Sequence, residues 1–135
     1  MIKRIQIEIT KFPYEISYND YKISYYNRNI NANIVMNLKK YPFRCPEIFV
    51  NNCEYKKLVH SCFTEEISSL YGKNCMCSDS LTCEDNWYLL KTLKDINEEI
   101  EKTLKTKRRA IDLFLMKKIN IDLPLDLKNE FSYYL

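Results

Sequence analysis

"YPFRCPEIFV", residues 41–50, decides how the chain folds. The sequence holds only 4 prolines, and two of them, Pro42 and Pro46, bracket this short aromatic stretch. A proline fixes its own φ and pushes the residue before it into extended geometry. The pair therefore predicts a stiff crossing that leaves one strand and enters the next on a fixed path. Upstream, "YEISY" (14–18) and "YKISYYN" (21–27) are β-rich runs separated by "ND", a turn signal, and "ANIVMNL" (32–38) is a third run. With "EIFV" (47–50) they predict an antiparallel meander of about four strands.

The first residues fit two templates. Ile2, Ile5, Ile9 and Phe12 share one helical stripe, while Ile5, Ile7 and Ile9 also alternate as in a strand. Downstream of the crossing, residues 51–90 have no clear period. They hold most of the cysteines, the single His, the single Gly and the single Trp. A stretch of that length without a period in a compact domain is usually functional or poorly ordered, and the tryptophan and cysteines argue against disorder. "TLKDINEEIEKTLKTK" (92–107) then predicts an amphipathic helix with Leu93, Ile96, Ile100 and Leu104 on one face and Thr92 with Asp95 as a capping box. A second helix is predicted on Ile111, Phe114, Leu115 and Ile119. A short terminal one follows Pro124, with Leu127, Phe131 and Tyr134 on its stripe. Strands first and helices afterwards give an α+β fold. One domain over 1–135 is expected, with a core over 1–106 and C-terminal helices over 107–135.

Bulk composition narrows the function classes. At 135 residues, 46% hydrophobic and 29% charged, the chain can bury its own core. A net charge of +3 gives no argument for nucleic acid. No stretch reads as a signal peptide or membrane span, so no membrane partner and a reducing, cytoplasmic setting are expected. There the 6 cysteines read as buried thiols, metal ligands or a nucleophile rather than as a disulfide framework. With one Gly in the chain, turns that need positive φ fall to Asn.

Taken in order, "YPFRCPEIFV", "YGKNCMCSDSLTCEDNW" (71–87) and "TLKDINEEI" (92–100) resemble the core of ubiquitin-conjugating enzymes, over roughly residues 1–106. The likeness is to divergent, viral-type members with a cysteine-rich stretch between the active cysteine and the tryptophan. It implies a ubiquitin-conjugating-like fold and a transferase that carries ubiquitin, or a ubiquitin-like protein, as a thioester for transfer to lysine. The implied partners are that modifier, an activating enzyme and a ligase, in the cytoplasm, or the host cytoplasm for a viral protein, with no cofactor and no metal.

Cys75 matches the family nucleophile, since "GKNCM" resembles its Gly-x-x-Cys-Leu; Cys77 is the runner-up and Cys83 a third candidate. Phe43 matches the aromatic that meets the ligase. Lys3 and Arg4 fall where the family's first helix meets the activating enzyme. The family's His-Pro-Asn, whose Asn supports the oxyanion, has no copy before Cys75; the nearest stretch is His60-Ser61-Cys62. Its Trp-Ser-Pro is Trp87-Tyr88-Leu89 here. These departures leave open an inactive relative that binds ubiquitin or a partner non-covalently. His60, Cys62, Cys75, Cys77 and Cys83 also offer N and S ligands for zinc, although Cys75-x-Cys77 is tighter than the usual C-x-x-C pair.

Overall fold

The computed structural model describes residues 3–60, 63–73 and 75–119. Helix α1 (Lys3–Thr10) leads into strands β1 (Ser17–Asn19), β2 (Lys22–Asn27), β3 (Ala32–Asn37), β4 (Glu47–Val50) and β5 (Cys53–Glu54). Helices α2 (Tyr55–Leu58), α3 (Thr64–Tyr71) and α4 (Leu93–Ile119) follow, with a 3₁₀ turn at Cys77–Asp79. The strands form one sheet in the order β1-β2-β3-β4-β5, every pair antiparallel. The α+β reading holds, with five strands in the meander where about four are expected.

The ambiguity at the N-terminus resolves to a helix. Ile5 is fully buried and Ile9 and Phe12 pack against the core, whereas Ile7, the alternation partner, is 45% exposed. In the meander, β2 buries Ile23, Tyr25 and Asn27 and β3 buries Ala32, Ile34 and Met36, so period two sets which face meets the helices. The fifth strand is only two residues long, too short for a periodic signal. Its turn, Asn51-Asn52, has φ of 49° and 65°, the left-handed pair that a two-residue hairpin needs. The β1–β2 turn does the same with Asp20 and Tyr21, one residue later than "ND" suggests. Asparagine thus supplies Asn31, Asn51 and Asn52 among the left-handed positions, while Tyr21 also adopts one and its carbonyl accepts from the Leu38 amide at 2.7 Å.

The crossing is a turn over residues 39–44 rather than an extended run, with the Arg44 amide donating to the Lys40 carbonyl at 3.0 Å. The Tyr41–Pro42 peptide is cis, Tyr41 is buried, and the Trp87 indole N–H donates to the Pro42 carbonyl at 2.9 Å. Around it the main core joins Ile5, the inner faces of β2–β4, Tyr55, and Leu93, Ile96 and Ile100 of α4.

Two corrections concern α4. The sequence reading divides the chain at 106/107 and starts a second helix beyond it, yet α4 runs unbroken for 27 residues, about 40 Å. "KTKRRA" (105–110) is polar but contains no helix breaker, so the backbone has no reason to stop there. What changes is the partner. The first half of α4 packs on the main core. The second turns Ala110 into a smaller cluster with Ile67 and Met76, and Phe114 packs at a tilt on Phe63 with ring centroids 4.9 Å apart. Ile111 and Leu115, expected on the packing stripe, are 37% and 50% exposed. The side chain of Ile119 and the terminal helix after Pro124 lie outside the described residues.

Candidate functional site

The period-free stretch is held in place by carboxylates. Glu99, on α4, accepts from the Tyr55 hydroxyl at 2.6 Å, the Ser80 hydroxyl at 3.0 Å and the Leu81 amide at 2.6 Å. Asn86 closes the same loop by donating to the Ser78 and Ser80 carbonyls at 2.7 and 3.0 Å. At the start of α4, Glu8 accepts from the Leu93 amide at 2.8 Å, the Tyr41 hydroxyl at 2.5 Å and Arg4 Nε at 3.1 Å. Burial, then the Glu8 carboxylate, pushes the Tyr41 phenol well above its ordinary pKa. Sequence reasoning missed both glutamates because nothing marks one acidic residue on a charged helix as an anchor.

The cysteines then separate by environment. Cys45, in the crossing, has its thiol pushed up to about 12, by burial first and by Glu99 second. It is an inert packing residue. Cys53 is exposed and Cys83 half-buried, both as free thiols. Cys75 and Cys77 are joined by a disulfide. This corrects the expectation of thiols throughout, but it is no framework bridge: it spans two positions and links no two elements.

Local structure explains why this pair sits where it does. Helix α3 ends at Gly72 with φ of 90°, the left-handed cap for which glycine is the usual residue, and that is where the chain's single Gly stands. The turn beyond it is clasped by Lys73 and Tyr71, which donate to Asp79 at 3.0 and 2.7 Å. Those bonds hold the Asp79 carboxyl below its usual range. Met76 points into the small cluster with Ile67 and Ala110, leaving the cysteines on either side half-exposed.

His60 closes the site. It follows α2, its Nδ1 lies 3.5 Å from Cys75 Sγ, and Lys107 of α4 donates to its carbonyl at 3.2 Å. Cys75 Sγ also receives the Cys77 amide N–H at 3.2 Å and lies 3.7 Å from the Val59 carbonyl. One ring nitrogen of His60 and the sulfurs of Cys75 and Cys77 all fall within 4.8 Å of one another. Of the wider N/S set, Cys83 does not join this group and Cys62 lies outside the described residues.

The remaining expected residues occupy different surroundings. Phe43 is 77% exposed, and a groove of about 370 Å³ between the crossing and the cysteine loop is lined by Phe43, Cys45, Pro46, Leu81 and Trp87. Trp87 is half-buried against Tyr41, with centroids 5.9 Å apart. Tyr88, Leu89 and Leu90 follow it and are exposed. The leucine pair precedes the helical stripe that begins at Leu93, so no period gives it a buried place.

Lys3 is exposed, whereas Arg4 turns inward: its Nη2 donates to the Lys91 carbonyl at 2.7 Å and its guanidinium lies over the Tyr41 ring. Of the two basic residues, only Lys3 presents its charge freely to solvent. No described helix is long and apolar enough to cross a membrane. No family model matches the chain, and neither curated proteins nor solved structures yield a match.

Proposed function

We propose that this chain is a ubiquitin-conjugating-like carrier that holds ubiquitin, or a ubiquitin-like modifier, as a thioester on Cys75. The observation that carries the reading is the pairing of a half-exposed Cys75 sulfur with His60 Nδ1 at 3.5 Å, on a loop braced against α4. A thiolate is the reactive form of cysteine, and a neighbouring imidazole can take the thiol proton. In the reaction, a thiol reductant first splits the Cys75–Cys77 disulfide, leaving two thiols and the oxidised reductant. The Cys75 thiolate then attacks the thioester carbonyl of the charged activating enzyme. The new C–S bond forms on Cys75, and the activating enzyme's cysteine leaves as thiolate. Attack by a lysine amine completes the transfer.

The fold order supports the same reading: a first helix, a meander, a proline crossing, a cysteine loop and a long helix. Phe43 and the exposed Tyr88–Leu90 segment offer a ligase two apolar loops, tied together by the Trp87–Pro42 hydrogen bond. Lys3 offers the activating enzyme a free cation. The reducing cytoplasm, of the host for a viral protein, is the setting this chemistry requires.

One observation favours a second reading, a non-covalent binding module: in the disulfide form Cys75 has no free thiol. A charging reaction separates the two. Reduced protein is incubated with activating enzyme, ubiquitin and ATP and resolved with and without reductant. The expected result is a reductant-sensitive adduct, absent in Cys75→Ala and present in Cys83→Ala. Loss in Cys77→Ala alone would move the nucleophile, and no adduct with any activating enzyme would favour the binding module.

A further inference from the structure

We propose that His60, Cys75 and Cys77 form a zinc site when the cysteine pair is reduced. The three ligand atoms come from two segments that are sequentially remote, yet they lie within 4.8 Å of one another. Tetrahedral zinc has Zn–S near 2.3 Å and Zn–N near 2.0–2.1 Å, which places a sulfur and a nitrogen about 3.5 Å apart. The separation of His60 Nδ1 and Cys75 Sγ is 3.5 Å. That edge of the polyhedron is already built.

The other edge is opened by chemistry. A dithiol reductant donates two electrons and two protons to the Cys75–Cys77 bond and is itself oxidised to a disulfide. The two thiols then bind Zn²⁺ as thiolates and release two protons, while the imidazole binds through a neutral Nδ1 with its proton on Nε2. Cα atoms 5.4 Å apart allow the sulfurs to move to the roughly 3.8 Å that tetrahedral thiolates need, by side-chain rotation. The Cys77 amide N–H aimed at Cys75 Sγ from 3.2 Å is the kind of outer hydrogen bond that supports a metal-bound thiolate. Three protein ligands leave the fourth position to water, the arrangement of an open rather than a closed site. Sulfur with imidazole selects zinc over magnesium or calcium, which take oxygen.

The site stands independently of the carrier reading. Where that reading holds, metal and acyl group compete for one sulfur, and zinc silences Cys75. The test begins with the reduced full chain titrated with Zn²⁺, and with Co²⁺ as a spectroscopic probe. We expect one metal per chain, thiolate-to-cobalt charge-transfer absorption, and loss of both in Cys77→Ser and in His60→Ala. Cys53→Ser, at an exposed cysteine outside the three-ligand group, is expected to bind as the parent does. Chain left in the disulfide form is expected to bind at least tenfold more weakly. Absence of binding in reduced, folded parent would overturn the proposal, as would binding retained in both site variants. Charging with and without a zinc chelator is scored separately, so a failed carrier reading leaves the metal result intact.

Discussion

Single residues in this molecule divide by what surrounds their sulfur or oxygen. Cys45, in the crossing, packs against the main core with its thiol pushed up to about 12, so at pH 8 it holds on the order of 10³-fold less thiolate than an ordinary thiol. Brief alkylation of the reduced native protein at pH 8, followed by peptide mapping, should therefore label Cys53 and leave Cys45 unmodified until denaturant is added. Rapid native labelling of Cys45 would show that the crossing is not packed as described. This distinction was invisible in the sequence, where six cysteines carry one letter and the burial of each depends on remote neighbours such as Glu99. The Cys75–His60 pairing was equally hidden. His60 was legible as a candidate ligand, but only the path of α2 and α3 brings it within reach of Cys75.

Among elements, α4 shows most plainly what local chemistry fixes. Its start was legible: the Thr92 amide donates to Asp95 at 2.9 Å and the Asp95 amide donates to Thr92 Oγ1 at 3.2 Å, a reciprocal capping box. Replacing Thr92 by Ala should cost about 1 kcal/mol in urea unfolding. Glu8→Ala should cost more, about 3 kcal/mol, because it strips the Leu93 amide, the Tyr41 hydroxyl and Arg4 of one shared acceptor. Equal effects would mean that Glu8 is a bystander. The far end of α4 was not legible in the same way. Its apolar residues change partner partway along, and a periodic pattern records a face without recording which neighbour meets it. The strands β2, β3 and β4 were clear because each alternates over a buried side, and α1 was ambiguous because three isoleucines satisfy two periods at once.

For the whole molecule, the titration of buried groups sets a window of stability. Burial foremost, reinforced by nearby carboxylates, raises Tyr25, Tyr41 and Tyr55, and Tyr71 rises to about 12. Above the ordinary tyrosine value, near 10, the unfolded chain releases protons that the fold retains, so stability falls as pH rises. At the acid end, hydrogen bonds from Asn27, Asn29 and Tyr14 outweigh burial and hold Glu101 low, while Lys117 holds Glu66 low and Tyr71 with Lys73 hold Asp79 low. Those contributions are complete above the ordinary carboxylate range, near 4, and disappear as pH falls through the depressed values. Urea midpoints measured from pH 3 to pH 11 should show a neutral plateau with a decline on each side. A midpoint still level at pH 11 would contradict the buried-phenol account.

The division of α4 between two clusters also gives the cysteine site its mechanical character. The sheet stands on the larger cluster; the turn carrying Cys75 stands on Ile67, Met76 and Ala110, with Lys117 bracing Glu66 from the same distal stretch. So small a footing can breathe while the sheet stays shut. Amide hydrogen exchange in the turn around Cys75 is therefore expected to run faster than in β2, β3 and β4.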